Sequence, residues 1–234
     1  TIQEANLVEA NLSSLLRHPF HTIHHLRRRN GKRDTSPPLT LIRQSLQNVV
    51  QAMLARCMCI GVSTADCIPV LLYDEEHHAV AAIHAGWRGT LARIVHKTIQ
   101  EMAFTYQTNP KKLKAVIGPG ISIDSFEVGD EVYEAFEQAA FPMEEIAEQR
   151  PNAAFSADPA ERERLAAEGN IVQPLKWHLN LPLCNKQILL HCGVAEENIQ
   201  DCGICTFQHS DEFFSARKLG TESGRIYTAI LLEK

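Results

Sequence analysis

Two short apolar runs separated by four polar residues constrain the fold of this chain more than any other feature. The first run is IPVLLYD at residues 68–74, the second is AVAAIHA at residues 79–85, and EEHH lies between them. Continuous apolar runs of this length, bounded by turn residues, are typical of buried strands. The first run does not alternate with polar residues, which indicates that both of its faces are covered. The sequence therefore predicts a buried antiparallel strand pair.

Further strands and helices follow Cys57 without the regular alternation of a parallel α/β protein. The predicted strands are apolar and β-branched, and comprise residues 57–64, 113–118, 198–206 and 225–234. The predicted helices carry apolar residues at helical spacing, and comprise residues 41–57, 89–104, 124–141 and 179–194. Residues 142–173 are expected to form helix fragments and exposed loop, and residues 209–224 a long loop. We expect an α+β fold in which mixed β-sheets are flanked by helices.

The composition is that of an ordinary globular protein and argues against several classes. The chain has 234 residues, of which 44% are hydrophobic and 22% charged, with a net charge of −5. This length accommodates one domain, which we expect to span residues 1–234. A mildly acidic chain without a basic stripe is not expected to bind nucleic acid. No apolar run approaches the roughly 20 residues of a membrane helix, and the N-terminal residues lack the pattern of a secretory signal.

The cysteines indicate a reducing compartment. There are seven of them, an odd number at irregular spacing, and several lie in apolar segments. This pattern is typical of reduced thiols and not of a disulfide framework. We therefore expect a cytoplasmic protein.

Cys67 and His84 stand at the outer ends of the predicted strand pair. If the strands form a hairpin around EEHH, the two side chains approach each other. A thiolate and an imidazole can bind zinc or a similar metal, or can act as a nucleophilic pair. On spacing alone, a buried free thiol and an ordinary interior histidine are the commoner arrangement, because a catalytic metal needs a third ligand that the spacing does not supply.

Two charged residues beside this pair have open roles. Arg88 lies where a helix is expected to begin, so it could face an anion or be an ordinary exposed side chain. Asp66 precedes Cys67, and neighbouring side chains on a regular strand point to opposite faces. Both residues can serve one site only if the backbone is irregular there.

Five segments together resemble the YfiH family, also called the laccase-domain or polyphenol-oxidase-like family, to which the human protein FAMIN belongs. They are TADCIPVLLYD, HAGWRGT, IGPGISIDSFEVGDEV, CGICTFQHSDEFFSARK and GRIYTAILL. The resemblance runs from about Cys57 to the C-terminus, with a variable insertion at 143–175, whereas residues 1–56 match the family poorly. It implies an α+β fold similar to that of the cytotoxic-factor-like cysteine hydrolases.

The resemblance also implies a metal site made of one cysteine and two histidines, usually occupied by zinc, with copper (Cu²⁺) as the alternative. Cys67 corresponds to the cysteine of TADC, and His84 to the histidine of HAGWRG. The third ligand is expected in HPFHTIHH, where we favour His24 over His21 and His25.

The activities implied by the resemblance are of two kinds. One is that of a purine nucleoside phosphorylase acting on adenosine, inosine, guanosine and methylthioadenosine, combined with adenosine deamination; the other is that of a multicopper polyphenol oxidase. The eleven histidines include no His-x-His pair, which disfavours the oxidase. In the nucleoside enzyme, a transferase and hydrolase, Arg88 would bind phosphate and Asp66 would act as general acid or base. Cys205 would line the pocket, unless it is a buried strand thiol.

Two alternatives remain from other classes. Cys67 and His84 could form a metal-free hydrolase linked to peptidoglycan editing, with Cys67 as nucleophile. The chain could also be a partner-binding protein whose site is vestigial. The expected partners of the nucleoside enzyme are small molecules, a purine nucleoside and phosphate, while the oligomeric state is open.

Overall fold

The structure is a computed structural model, and it describes residues 40–43, 50–55, 59–152, 155, 158–167 and 172–232. The chain divides into two compact units. The first combines the described residues up to Ser122 with those from Leu181 onward, and the second is Ile123–Asn180. The single domain over residues 1–234 stays a prediction.

The first unit contains eight strands and four helices in its described residues. The strands are β1 (Thr40–Arg43), β2 (Val50–Ala55), β3 (Cys59–Thr64), β4 (Ile68–Asp74), β5 (Ala79–Ala85), β6 (Lys114–Ile117), β10 (Ile199–Asp201) and β11 (Ile226–Leu231). The helices are α1 (Trp87–Leu91), α2 (Ile94–Tyr106), α6 (Leu181–His191) and α7 (Ala216–Leu219).

The second unit contributes the remaining elements. These are β7 (Glu127–Val128), α3 (Asp130–Gln138), α4 (Met143–Ile146), β8 (Ala147–Pro151), α5 (Pro159–Ala167) and β9 (Leu175–Leu179). The three strands form one antiparallel sheet in the order β7-β9-β8. Tyr133 of α3 stacks on Trp177 of β9 with ring centroids 3.8 Å apart, which attaches the helix to this sheet.

The hairpin of β4 and β5 lies at the centre of a six-stranded sheet with the order β1-β2-β5-β4-β6-β10. The two strands are antiparallel, and their register runs from Ile68 opposite Ala85 to Asp74 opposite Ala79. Most of their side chains are fully buried, and both strands have a partner on either side. The predicted buried hairpin and its turn are therefore confirmed, because a continuous apolar run suits a central strand covered on both faces.

A second, two-stranded sheet packs against the hairpin. Here β3 and β11 pair antiparallel, with Ile226 opposite Thr64. Ile60 and Ile230 of this pair form a buried cluster with Val80 and Ala82 of β5. Since β10 runs parallel to β6 whereas the other pairs are antiparallel, the sheets are mixed and the predicted α+β class is confirmed.

The helix predicted over residues 41–57 is wrong. This region contains β1 and β2, which pair antiparallel with each other, and β2 pairs along β5. A central strand with one unpaired edge offers backbone hydrogen bonds that outweigh a weak local preference for helix. The apolar spacing of residues 41–57 contains no information about an unpaired strand edge elsewhere in the fold, so it could not predict this pairing.

Several predicted boundaries also change. The helix over 89–104 is two helices, because Arg93 adopts a left-handed conformation with φ of 54° between α1 and α2. The helix over 124–141 begins only at Asp130, after the short strand β7. Residues 142–173 include β8, and residues 209–224 include α7. These short elements are held by tertiary contacts and have weak local signals.

Among the described helices, none has the length and hydrophobicity that crossing a membrane requires. Each cysteine within the described part of the chain carries a free thiol. The compartment itself stays a prediction.

The turn of the central hairpin is closed by a buried carboxylate, and this generates a stability prediction. Asp74 is 3% exposed, and it accepts hydrogen bonds from the backbone N–H of His77 (3.1 Å) and from its ring Nδ1 (2.9 Å). Burial acts to raise the pKa of the Asp74 carboxyl, but its interactions with Thr108 and His77 outweigh burial and lower the pKa.

Asp74→Asn is expected to lower the free energy of unfolding by about 1–3 kcal/mol at neutral pH, because hydrogen bonds to a charged acceptor are lost. A group with a depressed folded pKa stabilises above its unfolded pKa of about 3.9, and its contribution disappears as the pH falls through the folded value. Urea unfolding at pH 7 and at pH 3 measures both effects. Glu76→Gln, which removes only an exposed pair with Lys112, should change stability by about 1 kcal/mol or less. An Asp74→Asn effect as large at pH 3 as at pH 7 would contradict the assignment.

Candidate metal and active site

The outer end of the central hairpin brings Cys67 and His84 together. Cys67 directly precedes β4, and His84 lies opposite Pro69 in the β4–β5 register. A Cβ atom built on Gly86 would lie 2.7 Å from Cys67 Sγ and 3.8 Å from His84 Nε2. Both donor atoms therefore border one small volume beside the Gly86 backbone.

Gly86 keeps this volume open by having no side chain. Its φ of −70° and ψ of 175° are ordinary extended values that any residue can adopt. The glycine is thus required for space and not for its torsion angles. A methyl group there would collide with the Cys67 sulfur, since real Cβ atoms do not approach within 3.0 Å of another heavy atom.

The backbone before Cys67 is irregular, as a shared site for Asp66 and Cys67 requires. Asp66 has a left-handed conformation with φ of 78°, which is uncommon for residues other than glycine. Its side chain is buried and faces other protein groups. Oδ1 accepts a hydrogen bond from the Thr206 hydroxyl at 2.7 Å, and Oδ2 accepts one from the Arg217 backbone N–H at 2.6 Å. These contacts favour a structural role over general acid–base catalysis.

Burial shifts the pKa values of both donor side chains toward their neutral forms. Burial and the nearby charge of Asp66 raise the pKa of the Cys67 thiol to about 11, although Arg225 acts to lower it. Burial lowers the pKa of His84, a hydrogen bond with the Ser63 backbone acts to raise it, and Arg225 lowers it further. Without a bound cation the site holds a neutral thiol and a neutral imidazole whose lone pair is available.

Arg225 is a charged residue near Cys67 and His84 that sequence reasoning missed. Its charge influences both Cys67 and His84, and it directly precedes β11, whose Ile226 lies opposite Thr64. Its Nη1 donates to the carbonyl groups of Ser223 and Gly224, each at 2.8 Å. The signal for it was its place in GRIYTAILL, but only the β3–β11 pairing brings it to the site.

Arg88 lies where the sequence predicted it, in the first turn of a helix. Helix α1 begins at Trp87, and the exposed guanidinium of Arg88 lies 4.1 Å from the centre of the Trp87 ring. This cation–π contact orients the guanidinium. Arg88 thus remains a candidate for binding an anion.

Cys205 is a buried thiol in the core of the first unit. It is 3% exposed, and its Sγ accepts the Ser122 backbone N–H at 3.4 Å. It also forms a parallel bridge with Gly120. A Cβ on Gly120 would lie 2.4 Å from Ile68 Cδ1 and 3.1 Å from the Asp66 carbonyl oxygen, so the Gly118-Pro119-Gly120 loop packs tightly against the start of β4. The lining role of Cys205 stays a prediction.

The candidates for a third metal ligand, His21, His24 and His25, all lie outside the described residues, so the third ligand stays a prediction. Within the part of the chain that the structure describes, no group of three or more His, Cys, Asp or Glu side chains could hold a metal ion. The two donors that are described do fit one: a sulfur and an imidazole nitrogen facing one glycine-lined volume are a suitable partial set for zinc or copper.

Relatives with named activities resemble most of this chain. A purine nucleoside phosphorylase of Bacteroides thetaiotaomicron is 42% identical over 196 residues, which are 82% of this chain and 64% of that protein. The adenosine deaminase RL5 of an unknown prokaryotic organism is 38% identical over 183 residues, or 77% of this chain and 62% of that protein. The chain thus spans less than two thirds of the length of these two relatives.

Solved structures share the fold. The crystal structure of Bacillus licheniformis hypothetical protein YfiH aligns with a TM-score of 0.65 at 24% identity, covering 79% of this chain and 62% of that one. Neisseria meningitidis protein NMB0706 aligns with a TM-score of 0.61 at 29% identity, covering 79% and 65%. These structures confirm the fold that the sequence resemblance implied.

The family itself is established by a match over most of the sequence. The profile described as multi-copper polyphenol oxidoreductase laccase matches residues 43–233, which include the hairpin, Cys67, His84 and Arg225. The chain therefore belongs to this laccase-domain family.

Proposed function

We propose that this protein is a zinc-dependent purine nucleoside enzyme that carries out phosphorolysis of adenosine, inosine, guanosine and methylthioadenosine, and deamination of adenosine. The observation that carries the proposal is the convergence of Cys67 Sγ and His84 Nε2 on the space beside Gly86. Relatives named purine nucleoside phosphorylase and adenosine deaminase support the choice of reactions.

Cys67, His84 and a histidine near position 24 would hold the zinc ion, or Cu²⁺ as the alternative. When bound, such a metal with an open position acidifies water and polarises a substrate oxygen or nitrogen. The surroundings of His84 suit it as a metal ligand. Burial favours its neutral imidazole, and the hydrogen bond with the Ser63 backbone orients the ring.

Phosphorolysis requires a phosphate group held beside the ribose. An oxygen of phosphate forms a bond to C1′ while the bond from C1′ to the purine nitrogen breaks, and the base leaves with the electron pair and takes up a proton. Arg225 and Arg88 are the cations assigned to phosphate. Each guanidinium is oriented in advance, Arg225 by two backbone carbonyls and Arg88 by the Trp87 ring, which reduces the entropy lost on binding.

Deamination replaces the amino group at C6 of adenine with oxygen from water, and ammonia leaves. It needs the purine ring but no phosphate. The two reactions therefore place different demands on the arginines, and this difference can be tested. The general acid–base role of Asp66 is not retained, because both of its carboxylate oxygens accept hydrogen bonds from the protein.

The competing functions are less well supported. A metal-free Cys–His hydrolase needs a thiolate at Cys67, but burial raises the pKa of that thiol to about 11. A polyphenol oxidase, which the family description names, reduces dioxygen by four electrons at several copper ions. The eleven histidines without a His-x-His pair favour a single metal site.

Purified protein incubated with adenosine and phosphate is expected to release adenine with ribose 1-phosphate, and inosine with ammonia. Cys67→Ala removes the sulfur donor and should abolish both reactions. Chromatography of the bases and nucleosides measures the products. Cys192→Ala, which removes a half-buried thiol near the end of α6, should retain activity. Wild-type protein that forms no more product than Cys67→Ala would refute the proposal.

Gly86→Ala is expected to lower bound zinc from about one equivalent to a small fraction of it, because the new methyl group occupies the space at 2.7 Å from Cys67 Sγ. Elemental analysis after dialysis measures the zinc content. Gly129→Ala is the matched control, since its Cβ would meet only the flexible Glu131 carboxylate. Normal zinc content in Gly86→Ala would show that the metal binds elsewhere.

Arg225→Gln is expected to raise the KM for phosphate by about tenfold to a hundredfold, the cost of losing a hydrogen bond from a charged group. Deamination measured without phosphate should change little, which provides an internal control. Arg164→Gln, at an exposed arginine of α5, should leave both reactions unaltered. Equal losses in phosphorolysis and deamination would argue against a phosphate-binding role.

A further inference from the structure

Asp66 combines three features that no catalytic assignment explains. The residue is only 8% exposed, its backbone is left-handed with φ of 78°, and each carboxylate oxygen accepts a hydrogen bond from a distant part of the chain. We propose that Asp66 is a positioning residue whose carboxylate fastens Thr206 and Arg217 to the backbone turn that aims Cys67 at His84. This inference rests on the proposed function in one respect, namely that Cys67 and His84 together form the metal site.

The contacts of this carboxylate are short and shielded from water. Thr206 is 0% exposed, and its hydroxyl donates to Oδ1 at 2.7 Å. The Arg217 backbone N–H donates to Oδ2 at 2.6 Å. Hydrogen bonds to an ionised acceptor are about twice as strong as neutral ones, and a buried charge needs such partners. We call this set of Asp66, Thr206 and Arg217 the carboxylate clamp.

The backbone of residue 66 is held at the same place. The Asp66 carbonyl accepts the Ile121 N–H at 2.8 Å. Gly120 in turn donates to the Ile204 carbonyl at 3.2 Å and accepts from the Thr206 N–H at 3.1 Å. Three separate chain segments, containing residues 66, 120–121 and 204–217, therefore meet around Asp66.

The clamp explains why a residue other than glycine can remain left-handed here. That conformation is disfavoured for L-amino acids, and it persists where surrounding contacts over-determine it. Without the carboxylate contacts, residue 66 could relax toward an extended conformation, and the Cys67 side chain would turn away from His84. Asp66 thus acts on the site through Cys67.

A proton-transfer role conflicts with the same contacts. A general acid or base must be protonated during part of its cycle. Both oxygens of the Asp66 carboxylate already accept hydrogen bonds from the protein, one from the Thr206 hydroxyl and one from the Arg217 backbone N–H. These contacts occupy the atoms that a proton-transfer role would require.

Amide hydrogen exchange tests the clamp without relying on activity. In Asp66→Asn, exchange at the Arg217 amide should be about tenfold to a hundredfold faster, as expected for the loss of a hydrogen bond to a charged acceptor. Zinc affinity, measured by competition with a chelator, should fall by about tenfold or more. Asp130→Asn, at an exposed carboxylate in the first turn of α3, should change neither quantity.

Thr206 provides the second arm, and it keeps the proposal testable if Asp66→Asn does not fold. Thr206→Val should speed exchange at the Arg217 amide and weaken zinc binding, as Asp66→Asn does, but by smaller factors. Thr206→Ser keeps the hydroxyl and should give the wild-type values. Adding Thr206→Val to Asp66→Asn should change little further, since both act on one clamp.

Two results would overturn the clamp. One is an Arg217 exchange rate in Asp66→Asn equal to that of the wild type. The other is loss of the acidic limb of the pH–rate profile in Asp66→Asn, which would mark Asp66 as a proton carrier. If the protein shows no nucleoside activity while exchange and zinc affinity respond as described, the clamp stands and the proposed function fails.

Discussion

The register between β4 and β5 is the constraint on which the site depends. It places Ile68 opposite Ala85, so that Cys67 and His84 reach the same end of the hairpin and border the space beside Gly86. A slip of one residue would turn His84 to the other face of the sheet. Such a slip is opposed by the central position of the hairpin, because β2 and β6 pair with its two outer edges and its side chains are almost entirely buried.

The hairpin alone does not complete the site, since its surroundings come from distant segments. The carboxylate of Asp66 connects to Thr206 and to Arg217, and β11 brings Arg225 alongside β3. The result is a half-buried pair of donors on which the charge of Arg225 acts. At such a place the neutral forms of the thiol and the imidazole are favoured over their charged forms. A bound metal ion would favour the thiolate instead.

The family description and the relatives' names point to different chemistry, and the donor atoms help to choose between them. The family is described by copper-dependent oxidation of polyphenols, whereas the relatives are named for purine nucleoside phosphorolysis and adenosine deamination. Cys67 and His84 offer a sulfur and an imidazole, a partial donor set for the single Lewis-acid metal ion that our proposal requires. The proposal assigns the anionic co-substrate to Arg225, whose charge influences both donors, and to Arg88.

The sequence by itself determined the central hairpin, whose predicted bounds at residues 68–74 and 79–85 match β4 and β5. The reason is that a strand buried on both faces consists of a continuous apolar run, which is a local pattern. Through the family resemblance it also indicated Cys67 and His84. Only the tertiary structure decided that residues 40–55 contain β1 and β2 and not a helix, that both carboxylate oxygens of Asp66 accept hydrogen bonds, and that the charge of Arg225 acts on Cys67. The physical reason is that each of these features depends on a partner far along the chain. The strand β2 depends on the edge of β5, Asp66 on a buried hydroxyl and a backbone N–H, and Arg225 on the pairing of β11 with β3. None of these partners leaves a local pattern in the sequence.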